Sequence, residues 1–335
     1  MHKIGIIVLN WQGWRDTLTC LESLRQVIYE GPLTLIVCDN ASADDSFVQI
    51  FAWAQQHYAL TEIGIFSHGL TEFATPFPDY PLVLIQTGAN LGFAGGNNVG
   101  IRYALQQENP CEYLWLLNND TTVAATALAA LYQHARLYPQ QALIGSTLVD
   151  FYQRDRVQCA GGCHYFPQLT VFRHVHGGKP LPTVMQYDET MVKLDYVCGA
   201  ALFLRSSVIQ QVGLLNEDYF LFYEELDYTQ RLKRHGYTIG WCKYSIVYHK
   251  GSASVGTTSQ GDRTKLSRAH YYENLSTFKY TARFYPYWLP WVMLVRLIGK
   301  SLILIKRRNF YLFLSLFQAY RDFIHQIFVE KPDRS

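Results

Sequence analysis

Net charge is nearly absent from this chain. Its 29 Lys and Arg stand against 27 Asp and Glu, leaving +2 over 335 residues. A nucleic-acid binder usually shows a strong basic excess, so no nucleic acid is expected as a partner. A leader segment is not expected either. Met1 is followed at once by a strand-like run from Lys3 to Leu9, too short for a signal peptide and without a cleavage pattern. The catalytic part is therefore expected in the cytoplasm. Cysteine spacing of the metal-binding or disulfide kind is missing as well. Cys20, Cys38, Cys111, Cys159, Cys163, Cys198 and Cys242 are scattered, several inside apolar runs, as reduced buried cysteines are. Cys159, Cys163 and His164 make at most a partial zinc site, without a fourth ligand or the usual spacing. There is no internal repeat and no low-complexity segment.

What is present is apolar. Hydrophobic residues make up 49% and aromatics 15%, enough for a substantial core in one large or two modest domains. Ile4 to Leu9, Leu33 to Cys38, Leu82 to Gln86 and Tyr113 to Leu117 read as buried strands. Helical spacing marks 14 to 27, 44 to 58 and 95 to 108 between them. Residues 61 to 81 carry Gly and Pro without a pattern and read as a loop or small insertion. Such alternation implies a parallel sheet with helices on both faces. A helix at 124 to 137 then leads into short strand-like pieces between 142 and 205, an antiparallel or mixed region. A helix at 223 to 235 and a strand from Thr238 to Tyr248 follow.

Residues 285 to 328 are different. Trp291, Leu294, Val295, Ile298, Leu302 and Ile305 share one helical face, and Arg296 and Lys300 share another. Lys306-Arg307-Arg308-Asn309 reads as a basic turn before a second aromatic helix with Phe310, Leu314, Phe317, Ile324 and Phe328. Charges inside the first run disfavour a simple spanning helix. A helix lying in a membrane interface fits, its basic stripe and aromatic face both in use. The alternative is a helical pair packed on the protein's own core.

Asp120 ends the apolar run Leu114-Trp115-Leu116-Leu117-Asn118-Asn119. A carboxylate at the end of a parallel strand lies where open α/β sheets bind ligands. Beside two amides it suits Mg²⁺ or Mn²⁺ shared with a diphosphate, unless it caps the next helix. Asn90-Leu91-Gly92-Phe93-Ala94-Gly95-Gly96-Asn97-Asn98 is small and amide-rich, so backbone can approach a flat or anionic ligand. It is neither G-x-G-x-x-G nor a phosphate loop, since no Lys-Ser/Thr follows, and tight helix packing would explain it equally. Asp39 and Asn40 end the second strand and can hold a base or a ribose, or else form an Asx-turn or a cap. Glu224, Glu225 and Asp227 follow an aromatic run that would raise a carboxyl pKa, as a general base needs. Asp227 can pair with Arg231 one helical turn on. The alternative for the cluster is acids complementing a helix N-terminus. His249 ends the last strand before Lys250-Gly251-Ser252, either completing a metal shell or serving as a structural histidine.

In order, these segments resemble the inverting family-2 glycosyltransferases with the GT-A fold. Within them they are most similar to the bacterial rhamnosyltransferase-like branch that builds cell-surface polysaccharide. Val8-Leu9-Asn10-Trp11, Cys38-Asp39-Asn40-Ala41-Ser42, the Asn90 to Asn97 run, Leu117-Asn118-Asn119-Asp120-Thr121, Phe222 to Asp227 and His249 to Ser252 carry the likeness, over about residues 3 to 280. It implies an α/β GT-A nucleotide-sugar domain at 1–280, with a helical, membrane-associating segment at 281–335. It implies that Asp39 binds the nucleobase or ribose of a dTDP- or UDP-linked donor. Asn10, Asn40, Asn90, Gly92, Gly95, Asn97 and Asn118 are expected beside that donor. Asp120 would hold Mg²⁺ or Mn²⁺, with His249 as a further ligand. Glu225 would be the base, with Glu224 or Asp227 second. Asn118 replaces the first aspartate of the usual D-x-D, and Glu225 replaces the usual aspartate. The implied reaction passes a sugar, rhamnose first, to a saccharide or polyprenol-linked acceptor. The implied place is the inner face of the plasma membrane, as a peripheral protein. A UDP-hexose-dependent enzyme of the same fold, a nucleotidyltransferase and a non-catalytic nucleotide-sugar binder are the alternatives.

Overall fold

The computed structural model of the chain describes residues 1–67, 76–251 and 263–328. The chain opens with β1 (Ile4–Asn10), passes through α1 (Trp14–Leu24) to β2 (Leu33–Asp39), and continues with α2 (Ser46–His57), β3 (Ile63–Phe66), β4 (Leu82–Gln86), α3 (Gly92–Leu105) and β5 (Tyr113–Asn118). Then follow β6 (Thr121–Val123), α4 (Ala127–Leu137), β7 (Gln141–Asp150), β8 (Val157–Ala160), β9 (Gly162–Phe166), β10 (Val171–His174), α5 (Leu181–Val184), β11 (Tyr196–Val197) and β12 (Ala201–Arg205). The last elements are α6 (Ser206–Val212), α7 (Glu224–Arg234), β13 (Thr238–His249), α8 (Arg263–Phe284), α9 (Leu289–Lys306) and α10 (Leu312–Phe328).

The main sheet runs β3-β4-β2-β1-β5-β12-β7-β13-β6, with β8 alongside β7. From β3 to β5 every pairing is parallel. β12 then enters antiparallel between β5 and β7, and β13 lies parallel to β7. This is a parallel half extended by a mixed half, as the sequence pattern predicts. β1, β4 and β5 are buried almost throughout, because helices cover both faces of a parallel sheet. Outside this sheet β9 also pairs with β11.

Several local expectations change. The stretch read as a loop from 61 to 81 contains β3, a four-residue strand at the sheet edge; residues 68–75 lie outside the described ones. α3 begins at Gly92 rather than near Gly95, so most of the glycine- and amide-rich segment is helix. Its glycines serve packing. A Cβ at Gly96 would come within 2.5 Å of Leu9 Cδ1, and one at Gly100 within 2.8 Å of Ile7 Cγ2. Gly92 itself sits at φ +71°, a conformation that favours glycine. β7 is a ten-residue strand of the main sheet, not a short piece.

The chain divides into two compact units. One holds Met1–His164, Arg173–Glu217 and Glu225–Gly251. The other holds Tyr165–Phe172, Asp218–Glu224 and the described part of Ser252–Ser335. Within the second, Leu275, Phe278, Ala319 and Phe323 join α8 to α10, and Leu304, Leu312 and Leu316 join α9 to α10. The orientation of α9 corrects the sequence reading. Arg296 is only 5% exposed. It donates to Asn274 Oδ1 at 3.0 Å, Thr170 Oγ1 at 2.9 Å and Glu273 Oε1 at 3.0 Å. Lys300 Nζ reaches the same Glu273 oxygen at 2.6 Å. The basic stripe therefore faces inward, bound to α8, while Trp291, Leu294, Ile298, Leu302 and Ile305 face out. Those outward side chains are between 47% and 62% exposed. Residues 329–335 and the side chain of Phe328 lie outside the described set.

Candidate active site

The carboxyl ends of β1, β2 and β5 lie side by side, with Asn10 opposite Asp39 and Leu9 opposite Asn118 in register. This is where an open parallel sheet presents ligands. Asp39 is buried. Its Oδ1 accepts from Asn10 Nδ2 at 2.7 Å and Ser42 Oγ at 2.6 Å, and its Oδ2 takes a longer bond from Ser42 N at 3.3 Å. An Asx-type turn is thus real, but Asp39 caps no helix, since α2 begins at Ser46 after Asp45. Asn10 Oδ1 accepts from Thr17 Oγ1, which in turn accepts from Asn119 Nδ2 at 3.0 Å. This chain of amide and hydroxyl groups ties β1, α1 and the β5 turn together.

Asn40 is spent on the chain itself. Its Nδ2 donates to Gly92 O and Asn90 Oδ1, and its Oδ1 accepts from Leu91 N at 3.0 Å and Thr87 Oγ1 at 3.2 Å. Asn90 Oδ1 also accepts from Gly92 N. Asn40 and Asn90 therefore fasten the start of α3. Gly95 lies in the helix, where a Cβ would press on Leu91 at 2.7 Å. Asn97 donates to Phe93 O at 2.9 Å, and its Oδ1 is buried without a partner among the described residues.

Asp120 occupies the turn between β5 and β6 and is 4% exposed. The helix-cap alternative falls, because Thr121–Val123 is strand and α4 starts only at Ala127. Its backbone carbonyl accepts from Lys250 N, joining it to the end of β13. There His249 Nε2 lies 3.4 Å from Asp120 Oδ1. The ring is oriented from behind. Gln158 Nε2 donates to the His249 carbonyl at 2.8 Å, so Gln158 Oε1 turns to His249 Nδ1 at 2.9 Å. That contact assigns the proton to Nδ1 and leaves Nε2 facing the carboxylate. Burial lowers the His249 pKa, but Asp120 outweighs it and the net shift is upward. An imidazole nitrogen beside a carboxylate oxygen, with a carbonyl-type acceptor behind the ring, is a donor pair suited to a divalent cation. Among the described residues no group of three or more His, Cys, Asp and Glu is placed to hold one alone. Diphosphate oxygens must complete such a shell.

Within the acidic cluster three environments differ. Asp227 is fully buried and accepts from Arg231 Nε at 2.6 Å, while the guanidinium also holds Val212 O and Leu214 O. This is the expected i,i+4 pair. Glu224 is buried with Oε2 unpaired among the described residues, and burial pushes its carboxyl up to about 8. Glu225 is partly exposed and lies beside Gly199, where a Cβ would come within 3.7 Å of its carboxylate. The next residue, Ala200, accepts from Asn118 N at 3.0 Å. Glu225 thereby shares a neighbourhood with the strand that delivers Asp120. Just before the cluster, Phe222 and Tyr223 hold φ of +67° and +73°. Two bulky residues in that region store strain, on the order of 1–3 kcal/mol each. Ser276 and Thr277 of α8 fix them through Leu221 O and Tyr223 Oη.

Gln158 and Gly199 were not foreseen. Gln158 is 91 positions from His249 and bears no motif. Ser252 lies outside the described residues. The seven cysteines are free and all but Cys198 are buried; His164 approaches Asp195 at 3.5 Å, and His174 is the histidine bonded to Cys163.

Known proteins share this architecture. Residues 4–213 match the pattern described as Glycosyl transferase family 2, and residues 113–327 that of Glycosyl transferase family group 2. The chain is similar to the low-salt glycan biosynthesis hexosyltransferase Agl10 of Haloferax volcanii, 28% identical over 165 residues, 49% of this chain and 50% of that protein. It is also similar to the rhamnosyltransferase WbbL of Escherichia coli, 24% identical over 204 residues, 59% of this chain and 72% of that protein. The match to the first relative thus spans half of that relative's length. Among solved structures, the mannosyltransferase PcManGT from Pyrobaculum calidifontis, in complex with GDP-Man and Mn²⁺, aligns with a TM-score of 0.53 at 13% identity, covering 98% of this chain and 88% of that one. GalNAc-T7 with UDP, GalNAc and Mn²⁺ aligns at 0.57 and 10% identity, covering 74% and 44%. At such identities the likeness shows the fold, which is GT-A. Each of the two family patterns covers more than half of the residues, and on that ground the chain belongs to glycosyl transferase family 2.

Proposed function

We propose that the protein is an inverting glycosyltransferase of glycan or polysaccharide synthesis that uses a dTDP- or UDP-linked donor. The observation that carries this is the Asp120–His249 pair at 3.4 Å at the carboxyl edge of the sheet. Asp39 offers Oδ2, the less engaged oxygen, to a base N–H or a ribose hydroxyl. Asn10 and Ser42 hold that carboxylate in place. A divalent cation, Mg²⁺ or Mn²⁺, held by Asp120 and His249 would supply positive charge for the departing diphosphate. Glu225 takes the proton of the acceptor hydroxyl as that oxygen bonds to the anomeric carbon. The bond from that carbon to the diphosphate oxygen breaks, and its electron pair leaves with the nucleoside diphosphate. Attack from the face opposite the leaving group inverts the centre. Glu224 is buried and its carboxyl is raised to about 8, whereas Glu225 is partly exposed beside Gly199 and is the acid open to an acceptor hydroxyl. Asp227 orients α7 through Arg231.

Rhamnose is the first choice of sugar, given the relative named a rhamnosyltransferase, and a UDP-hexose the second. The acceptor is a saccharide or polyprenol-linked saccharide, met at the inner face of the plasma membrane through the helical segment from residue 281. A thermal-shift panel of nucleotide sugars with and without Mn²⁺ tests the reading on the full chain. dTDP and UDP compounds should stabilise most, and only with Mn²⁺; a folded Asp120→Ala protein should lose the Mn²⁺-dependent part and its transfer activity. Better stabilisation by GDP- or CMP-sugars overturns the donor assignment. Full turnover by Asp120→Ala overturns the metal site.

A further inference from the structure

In α8, α9 and α10 polarity runs inside out. The inner face of α9 carries Arg296 and Lys300, bound to Glu273 of α8. Its outer face is Trp291, Leu294, Ile298 and Leu302, exposed by 47%, 51%, 53% and 62%. α10 adds Leu314 and Phe317, 67% and 56% exposed. A helix of a water-soluble domain turns its charges the other way. Contiguous exposed apolar surface of this kind marks a place that something covers. Lys306 at the end of α9 and Arg307 and Arg308 after it are exposed.

We propose that this outward face of α9 and α10 inserts into one leaflet of an anionic phospholipid bilayer, with Lys306, Arg307 and Arg308 on the lipid phosphates. This deepens, and rests on, the membrane-bound reading above. It replaces the inward Arg296 and Lys300 with outward hydrophobes as the source of attachment. Pro286–Lys306 is long and apolar enough to cross a membrane, but crossing would take its ion cluster into hydrocarbon. A central charge there costs at least about 2.5–3.5 kcal/mol, and Glu273, Asn274 and His270 of α8 would be drawn in too. Lying along the interface keeps that cluster on the protein side and puts only hydrophobes into lipid. Trp288 and Trp291 near the start of α9 and Tyr311 at the start of α10 are exposed side chains suited to the headgroup level. A second copy of the chain fits less well. α9 and α10 hold a single acid, Asp322, engaged by Tyr271 and Arg321. Among the described residues of α9 and α10 no further acid would answer three cations.

The test is vesicle flotation of the full chain with phosphatidylglycerol–phosphatidylcholine vesicles and with phosphatidylcholine alone, at low and high salt. Wild type should bind the anionic vesicles better, the preference shrinking with salt. The triple variant Leu294→Glu, Ile298→Glu and Leu302→Glu changes only exposed positions and should keep its circular dichroism and donor-induced thermal shift. Its vesicle affinity should fall by about tenfold or more. Arg307→Gln with Arg308→Gln should remove the anionic preference while leaving weaker binding to neutral vesicles. Equal flotation of wild type and the folded triple variant overturns the inserted face but leaves the membrane reading. Failure of wild type to float with any vesicle overturns that reading as well. Unchanged flotation with a drop in solution mass from dimer to monomer shows a self-interface and overturns the proposal.

Discussion

The two compact units solve the same problem with opposite signs. In the sheet unit, strands bury Val, Ile, Leu and Trp and release polar groups at their carboxyl ends, where Asn10, Asp39 and Asp120 gather. In the helical unit, α9 keeps its charges inside and shows hydrophobes to the outside. Both place polar groups in low-exposure surroundings, yet the outcomes differ. Glu273 offsets one of the two charges of Arg296 and Lys300, and Asn274 and Thr170 take remaining guanidinium protons. That cluster is self-sufficient, as a structural network must be. At the sheet edge, His249 Nε2 faces a carboxylate, and Asn97 Oδ1 has no partner among the described residues. At the sheet edge the open positions belong to the site residues themselves; in the helical unit the ion cluster bonds within itself, and the open positions lie beside it, at His270 Nε2 and Thr281 Oγ1 of α8 among the described residues.

Glu225→Gln should lower kcat by about 10²–10⁴-fold with donor affinity kept, because the lost charge faces the acceptor. Glu224→Gln should do much less. Its carboxyl already sits near 8, so at neutral pH the amide replaces a group that is mostly neutral. Transfer rate beside donor affinity for both variants decides the matter. A dead Glu224→Gln and an active Glu225→Gln would put the base one residue earlier and break the contrast between a working and a structural acid on one helix turn.

The next test sharpens the site side. Gln158→Leu leaves Asp120 and His249 in place but removes the acceptor behind the ring. Loss of such a supporting contact typically costs about 10–100-fold in metal affinity. Mn²⁺ titration followed by donor-dependent thermal shift should show that loss, while Gln158→Glu, which keeps an acceptor at the same reach, should restore most of it. Equal Mn²⁺ affinity in all three proteins would mean that His249 is a structural histidine after all.

Much of this was legible in the chain. Leu82–Gln86 and the buried run into Asn118 show as uninterrupted apolar stretches, because a strand covered on both faces has no polar alternation. Asp120 was readable for the same reason: an apolar strand delivers it. Ile63–Phe66 was not, since four residues at a sheet edge carry too little pattern. Gln158 was not, since its role comes from β8 pairing with β7 and β7 with β13, and no local signal announces a partner 91 positions away. The glycines of α3 fitted either a ligand loop or tight packing, and close approach of the helix to Ile7 and Leu9 shows the packing. The two faces of α9 were visible as a periodicity. Which face turned inward was not, because periodicity divides a helix without saying where the rest of the chain lies.

The smallest expected effect concerns the self-sufficient cluster. Burial raises the Glu273 carboxyl, but Arg296 and Lys300 outweigh it and bring it from 4.5 to about 2. A carboxyl with a depressed folded pKa contributes stability that is complete above its ordinary value and is lost as pH falls through the folded one. The contribution should therefore be full above 4.5 and fade towards about 2. His270, on the same face of α8 and hydrogen-bonded to Ser315, is held neutral, lowered by burial from 6.5 to about 4. It adds its own acid sensitivity between those values in both wild type and a Glu273→Gln protein, and losing the Glu273 charge lowers its pKa further in the variant. The measurement is the difference in Tm between these two full-length proteins as pH is lowered. Above 4.5 the variant should melt lower, because Gln leaves two cations without their counter-charge. Towards about 2 the curves should converge, since wild type then carries a neutral acid at the same place. A Tm difference that stays constant across that range would show that Glu273 holds α8 to α9 by shape and hydrogen bonding alone. The charged interior of the helical unit would then differ from the sheet edge only in packing.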